Sequence, residues 1–170
     1  MATHYKEIGP EGCTPDSTGR CFPEQYLVKA TSDLFGHAVM VLNNPGAGEE
    51  HGFYGTFDVP ANYVTSAVVD VAWTSTVTAG NARMRIRYRS VGGDDTESLD
   101  NAAYQETVAV TDVAPTATDR RLVASFTLTA GNVAAGELVE YYFTRLDDTG
   151  VDTLAGAITI HKMRFTYSDT

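Results

Sequence analysis

Hydrophobic and polar residues alternate strictly through residues 82–89, where four arginines are separated by Met84, Ile86 and Tyr88. A period of two places successive side chains on opposite faces of a β-strand, whereas a helix would scatter both sets around its circumference. The stretch therefore predicts a strand that buries its apolar residues and exposes the guanidinium groups of Arg83, Arg85, Arg87 and Arg89.

The same alternation recurs in short runs along most of the chain, separated by turn residues. The predicted strands lie at 26–30, 37–42, 53–59, 67–73, 82–89, around 108–110, 122–128, 139–143 and 158–167. Eight or nine short strands at this spacing indicate an all-β fold, and we expect a jelly-roll-like antiparallel β-sandwich whose two sheets cover each other's apolar faces. The apolar phase shifts by one residue between Ile160 and Met163, which predicts a β-bulge near His161.

The first 24 residues differ from the rest of the chain. They contain three glycines and three prolines and no sustained apolar period, a composition typical of extended or looped segments. We therefore expect an extended N-terminal arm at 1–24 and a β-sandwich domain at 25–170. The arm is expected to make few contacts with its own sandwich and many with another chain.

The charge balance limits the choice of partners. Asp and Glu number 22 against 12 Lys and Arg, a net charge of −10, which disfavours nucleic acid and anionic membrane surfaces as partners. No run reaches the roughly 18 apolar residues of a membrane helix. The first residues carry no apolar core of a signal peptide, so synthesis in a cytosol is expected.

The two cysteines, Cys13 and Cys21, flank a turn-rich segment that could bring them together. A disulfide would stabilise the fold by roughly 2–3 kcal/mol through loop entropy. Two thiols are as compatible with a cytosolic product, so both states stay open. A zinc site is not expected, because only His4 lies near them and four ligands are needed.

No catalytic or cofactor motif is present, and the four histidines are scattered. The sequence contains no nucleophile elbow, no metalloprotease helix motif and no phosphate-binding glycine loop, so we predict neither an enzyme nor a cofactor. Two acidic loops could supply oxygen ligands to calcium, although neither has EF-hand spacing and solvated turns are the commoner explanation. Their acidic residues are Asp94, Asp95, Glu97 and Asp100 in one loop and Asp147, Asp148 and Asp152 in the other.

Aromatic side chains offer a second kind of binding chemistry, because they can stack on sugar rings. The candidates are Tyr63, Trp73, Tyr88, Tyr104, Tyr141 and Tyr142. Trp73 is in phase with Val69 and Val71, which favours a core position. Tyr142 falls on the face opposite its neighbours Tyr141 and Phe143 and is the better candidate for the surface.

The arginine row has two interpretations. Like charges on one strand face repel, so carboxylates are expected opposite them. These carboxylates could come from neighbouring strands, for example from Glu137 or Glu140, giving an ordinary solvent face. Alternatively they belong to another subunit, and Arg83, Arg85, Arg87 and Arg89 form a subunit interface.

Five segments of the chain resemble a recurrent small protein of tailed-phage structural gene clusters. They are residues 57–63 (FDVPANY), 69–73 (VDVAW), 80–85 (GNARMR), 152–156 (DTLAG) and 165–167 (FTY). The resemblance covers about residues 50–168 and implies a β-sandwich virion component without catalytic residues.

That resemblance implies a capsid decoration protein that binds the major capsid protein on the outer shell, works as a homotrimer and is located in the virion. A tail-fibre or receptor-binding domain is the first alternative. A non-catalytic carbohydrate-binding module, which the exposed aromatics would serve, is the second.

Overall fold

The computed structural model describes residues 2–9, 12–27, 36–92, 103–147 and 150–170. Eleven strands account for most of them, and a 3-10 turn lies at Ala130–Asn132. The strands are β1 (Thr3–Ile8), β2 (Thr14–Pro15), β3 (Cys21–Leu27), β4 (Gly36–Leu42), β5 (Glu50–Asp58), β6 (Thr65–Thr74), β7 (Asn81–Val91), β8 (Glu106–Val113), β9 (Leu122–Thr127), β10 (Leu138–Leu146) and β11 (Ile158–Ser168).

The strands form two antiparallel sheets, as the alternation predicts. The first sheet has the order β3-β4-β11-β6-β9, and β1 pairs with the second half of β11 beside β4. The second sheet has the order β2-β5-β10-β7-β8. Two antiparallel sheets whose strands alternate between them along the chain confirm the predicted jelly-roll-like β-sandwich.

The core lies between the sheets and is built from the inward half of each alternating strand. Trp73, Phe126, Phe143 and Phe165 are fully buried there, together with Met84 of β7. Met84, Ile86 and Tyr88 are all at 0% exposure while the intervening arginines are half-buried on the other face. The sharpest pattern in the sequence is therefore confirmed.

The predicted bulge is also present. The register between β11 and β6 shifts between Ile160 and Lys162. Ile160 and Met163 both point into the core, whereas His161 and Lys162 between them do not. A bulge adds one residue to one strand of a pair, which explains why two successive side chains leave the core.

The N-terminal segment differs from the predicted arm. Residues 3–8 pair with β11 over six register positions, and Cys21–Leu27 pair with β4 over seven. Ile8 and Cys21 enter the hydrophobic core. Residues 3–8, 14–15 and 21–24 thus belong to the sandwich, because β11, β5 and β4 offer backbone hydrogen-bonding groups to strands that have little apolar periodicity of their own.

Candidate functional site

The outer face of the second sheet carries a cross-strand row of aromatic and basic side chains. Tyr54 of β5 lies opposite Tyr142 of β10, and Tyr142 lies opposite Arg87 of β7. All three are on the face opposite the core, because their strand neighbours Phe53, Phe143 and Ile86 are fully buried. A row of this kind offers a continuous surface across three adjacent strands.

The side chains of this row stack on one another. The rings of Tyr54 and Tyr142 are 4.3 Å apart and 14° from parallel. The Arg87 guanidinium lies 5.9 Å from the Tyr142 ring and 5.6 Å from the ring of Tyr104, which follows in the next loop. We call Tyr54, Tyr142, Arg87 and Tyr104 the tyrosine–arginine stack.

Exposure is concentrated at the two ends of the stack. Tyr54 is 46% exposed and Tyr104 is 44% exposed, whereas Tyr142 between them is 8% exposed. An aromatic ring with one covered and one open face is a surface on which an apolar ring face can pack. The stack therefore presents two open tyrosines held in place from the inside.

Asp16 fixes the position of Tyr142 from below. The Tyr142 hydroxyl donates to Asp16 Oδ2 over 3.0 Å, and the backbone N–H of Gly52 donates to the same oxygen. Burial by itself raises the pKa of Asp16, but hydrogen bonds from Thr18, Gly52 and Tyr142 outweigh it and hold that pKa below its usual value. Burial and the bond to Asp16 raise the pKa of Tyr142, so this hydroxyl stays protonated and keeps donating.

Carboxylates of the same chain pair with Arg85, Arg87 and Arg89. Glu50 accepts from Arg85 and contacts both terminal nitrogens of Arg87, one per carboxylate oxygen, at 3.1 Å. Arg89 donates to Glu140 over 2.6 Å, as one of the two interpretations predicts. The ion pair with Glu50 holds the Arg87 guanidinium between its two tyrosine rings.

These intrachain pairs favour the solvent-face interpretation for Arg85, Arg87 and Arg89. Arg83 contacts Thr111 at 3.4 Å on the neighbouring strand β8. The subunit interface and the homotrimer remain predictions.

The two cysteines carry thiols and no disulfide joins them. The Cys13 sulfur lies 3.3 Å from the Tyr141 hydroxyl, and Cys21 is buried in the core. Burial is the main reason that the pKa of Cys21 is raised to about 12, which makes this thiol unreactive. A bridge under oxidising conditions stays a prediction.

In the second acidic loop, Asp152 is not part of a solvated turn but has a structural role. Asp152 forms a fully buried ion pair with Arg145, in which both carboxylate oxygens accept from the guanidinium. Arg145 also donates to the carbonyl oxygens of Leu154 and Gly156. Asp148 and the loop with Asp94, Asp95, Glu97 and Asp100 lie outside the described residues. No three His, Cys, Asp or Glu side chains in the described ranges are grouped for a metal ion.

Most of the predicted aromatic candidates are core residues. Tyr63, Trp73, Tyr88 and Tyr141 are at most 7% exposed, and Tyr142 is on the outer face as predicted. Tyr54 was missed. Its position between Phe53 and Gly55 gives the same outward phase as that of Tyr142, so the alternation of β5 contained the signal.

The chemistry of this face suits a neutral, hydroxyl-rich ligand. Open tyrosine faces can pack on the C–H side of a ring, and the nearby guanidinium and carboxylate groups can exchange hydrogen bonds with hydroxyls. Within the described part of the chain, no helix has the length and apolarity required to cross a membrane.

Comparison with known proteins identifies the fold. No protein-family model and no curated protein sequence matches the chain. A family 35 carbohydrate-binding module from Clostridium thermocellum superposes with a TM-score of 0.52 at 15% identity, covering 97% of this chain and 98% of that one. A family 11 module from the same organism, in complex with a β-1,3-1,4-mixed-linked tetrasaccharide, gives 0.53 at 10% identity, with coverage of 97% and 96%.

A third similar structure is a larger enzyme. The exo-β-1,3-galactanase of Phanerochaete chrysosporium, solved with galactose, gives a TM-score of 0.52 at 12% identity, and the match covers 95% of this chain and 29% of that one. At these identities the likeness establishes the β-sandwich fold alone.

The comparisons overturn the expected capsid decoration function. The similar folds belong to two carbohydrate-binding modules and a galactanase, and none of these three proteins is a virion component. The phage resemblance rested on strand and turn residues, which many β-sandwiches share because they face the same packing constraints. The capsid-protein partner and the virion location were inferred from that resemblance and remain predictions without support from the fold.

Proposed function

We propose that the protein is a non-catalytic carbohydrate-binding module, and that it binds glycans on the outer face of the second sheet. The tyrosine–arginine stack carries this proposal. It places Tyr54 on a sheet and Tyr104 in the adjoining loop, each nearly half exposed, and surrounds them with hydrogen-bonding groups. The proposal assigns no reaction to the protein.

The rigidity of the stack supports binding. Tyr142 is held by Asp16, by the Tyr54 ring and by the Arg87 guanidinium, and Arg87 in turn is held by Glu50. A preformed site loses little side-chain entropy when a ligand binds, so more of the contact energy appears as affinity. The ion pairs around Arg87 thus contribute to positioning in addition to any hydrogen bond with sugar hydroxyls.

Tyr54 is the residue on which recognition depends most directly. It lies at the end of the stack beside β2, a strand of only two residues. Its outer ring face is therefore bordered by short secondary structure and accessible to a ligand. We expect one sugar ring to pack there, with its hydroxyls directed toward Glu50 and Arg87.

The test is binding of wild-type protein and a Tyr54→Ala variant to soluble polysaccharides, measured by affinity electrophoresis and calorimetry. Mixed-linked β-1,3-1,4-glucan and β-1,3-galactan are the first probes. Loss of a central aromatic anchor is expected to weaken binding by about ten-fold or more. Tyr5→Ala is the matched control, because Tyr5 is 60% exposed on the other sheet.

The proposal fails if a broad panel of neutral polysaccharides shows no binding to the wild-type protein. It also fails if both tyrosine variants lose affinity equally. In that case the glycan would not distinguish the stack from an ordinary exposed tyrosine.

A further inference from the structure

The bulge in β11 redirects charge onto the outer face of the first sheet. Because the register shifts after Ile160, both His161 and Lys162 leave the core, and Arg164 follows two residues later on the same face. In a regular strand with Ile160 directed inward, Lys162 and Arg164 would also be directed inward. The bulge therefore brings both basic side chains onto the outer face of the sheet.

A groove of about 110 Å³ lies beside these residues, lined by Asp70, Ala72, Arg121, Val123, Lys162 and Arg164. Its floor follows one register row, in which Lys162 of β11 lies opposite Ala72 of β6 and Ala72 lies opposite Val123 of β9. Ala72 has only a methyl group between two longer side chains. The small residue at the centre of the row produces the depression.

Among the described residues that line this groove, the one acid, Asp70, is already engaged. Asp70 accepts from Ser125, Thr166 and the Nε of Arg164, at 2.6, 2.9 and 2.9 Å. Burial opposes ionisation of Asp70, but these hydrogen bonds prevail and keep its pKa low. Because Arg164 uses Nε for Asp70, its two terminal nitrogens remain to donate elsewhere.

The other two cations that line the groove, Lys162 and Arg121, are less fully engaged by carboxylates. Lys162 pairs with Glu7, whose side chain is 57% exposed at the sheet edge. Arg121 is exposed at the start of β9, and none of the carboxylates in the described ranges lies within ion-pair distance of it. Three cations thus surround the groove, and the Asp70 carboxylate beside them already accepts three hydrogen bonds.

We propose that this groove binds an oxyanion, a sulfate, phosphate or carboxylate group, through Arg121, Lys162 and Arg164. Guanidinium forks and an ammonium group converge on a volume suited to one such group, and their hydrogen bonds would be charge-assisted. The site is independent of glycan binding by the tyrosine–arginine stack, because it lies on the opposite sheet.

His161 provides a spectroscopic reporter of the bound charge. Its ring nitrogens lie 2.8 Å from His37 and 2.8 Å from the Thr74 hydroxyl. Burial, and then the positive charges of His37 and Arg121, lower the pKa of His161 to about 4, while the negative charge of Asp119 acts in the opposite direction. An oxyanion beside Arg121 would offset that positive charge. We therefore expect its binding to raise the pKa of His161.

The test is a nuclear magnetic resonance titration of the intact chain with sodium sulfate and sodium phosphate, with ionic strength held constant by sodium chloride. The signals followed are those of Ala72, Val123 and the His161 ring. The groove variant combines Arg121→Gln with Lys162→Gln. The control combines Arg20→Gln with Lys6→Gln, which changes the net charge equally on exposed or half-exposed side chains outside the groove.

Saturable shifts confined to the groove, weakened about ten-fold or more in the groove variant and by less than two-fold in the control, are the expected result. A second arm uses dextran sulfate against uncharged dextran. Binding of dextran sulfate alone, with the same dependence on Arg121 and Lys162, supports the site and shows that its oxyanion is carried by a polymer. Absence of binding in both arms, or equal weakening in both variants, overturns the proposal.

Discussion

At the scale of single residues, Arg145 stands out because its charged guanidinium group lies in the protein interior. It is fully buried at the end of β10, where Asp152, Asn44 and two backbone carbonyls accept its hydrogen bonds. In the alternation of β10 it occupies a core position next to Phe143. The strand predicted from the sequence, 139–143, stops short of Arg145, and the sequence cannot show which loop carboxylate enters the core to neutralise the charge.

Replacing Arg145 by Met is expected to destabilise the protein by about 3–5 kcal/mol, because Asp152 would remain as an uncompensated buried charge. Urea unfolding measures the loss. Lys162→Met is the control, since its ion pair with Glu7 is largely exposed, and it should cost less than about 1 kcal/mol. Equal losses in the two variants would mean that the buried pair contributes no more than a surface pair.

At the scale of elements, the predictions succeeded where one strand has its own apolar face. β7 and the bulge of β11 are examples, since their side-chain phase alone determines which residues are buried. β1 was missed because its sequence, THYKEI, buries a single apolar residue at its end. Such an edge strand is specified by the backbone groups of its partner, which a local pattern does not report.

The stack could be predicted only in part for a related reason. Tyr142 was assigned to the surface by phase. Its pairing with Tyr54, which is 88 positions earlier in the chain, depends on the register between β5 and β10. That register is a tertiary property, and no short-range signal encodes it.

Gly52 allows β5 and β10 to approach closely enough for that register. A Cβ at this position would collide with the carbonyl oxygen of Phe143 and the methyl group of Thr144. Gly52→Ala is therefore expected to destabilise the protein by about 1–3 kcal/mol, since the backbone of β10 would have to shift. The free energy of unfolding is the measurement.

Gly131→Ala serves as the matched control, because nothing lies within 4 Å of a Cβ built there. The free energy of unfolding of the Gly131→Ala variant is expected to change little. If Gly52→Ala proved as stable as the control, the close approach of the two strands would not be needed for the fold.

At the scale of the whole molecule, the sandwich is closed by its first and last segments together. β1 pairs with the second half of β11 and β4 pairs with its first half. β3 extends the sheet by pairing with β4. Core residues Ile8 and Cys21 come from the segment that composition marks as an arm. Glycine and proline content indicates where turns fall but does not exclude short paired strands between them.

Deleting residues 1–24 is accordingly expected to abolish cooperative thermal unfolding, because it removes β1, β2 and half of β3 with their core contacts. Calorimetry of the truncated chain is the measurement, and the full-length Tyr5→Ala variant is the control for loss of surface side chains. A truncated protein that kept a sharp transition within a few degrees of the control would show that the segment is accessory.

The antiparallel pairing of Thr3 with Ser168 means that the fold resists a pulling force poorly when the force acts between these two residues. Tension applied at these two residues pulls on the same end of the β1–β11 ladder. The hydrogen-bonded pairs would then be loaded one after another, as in a zip, and not all at once in shear. The sandwich should therefore yield to a small force along this line by peeling β1 from the sheet before the other strands separate.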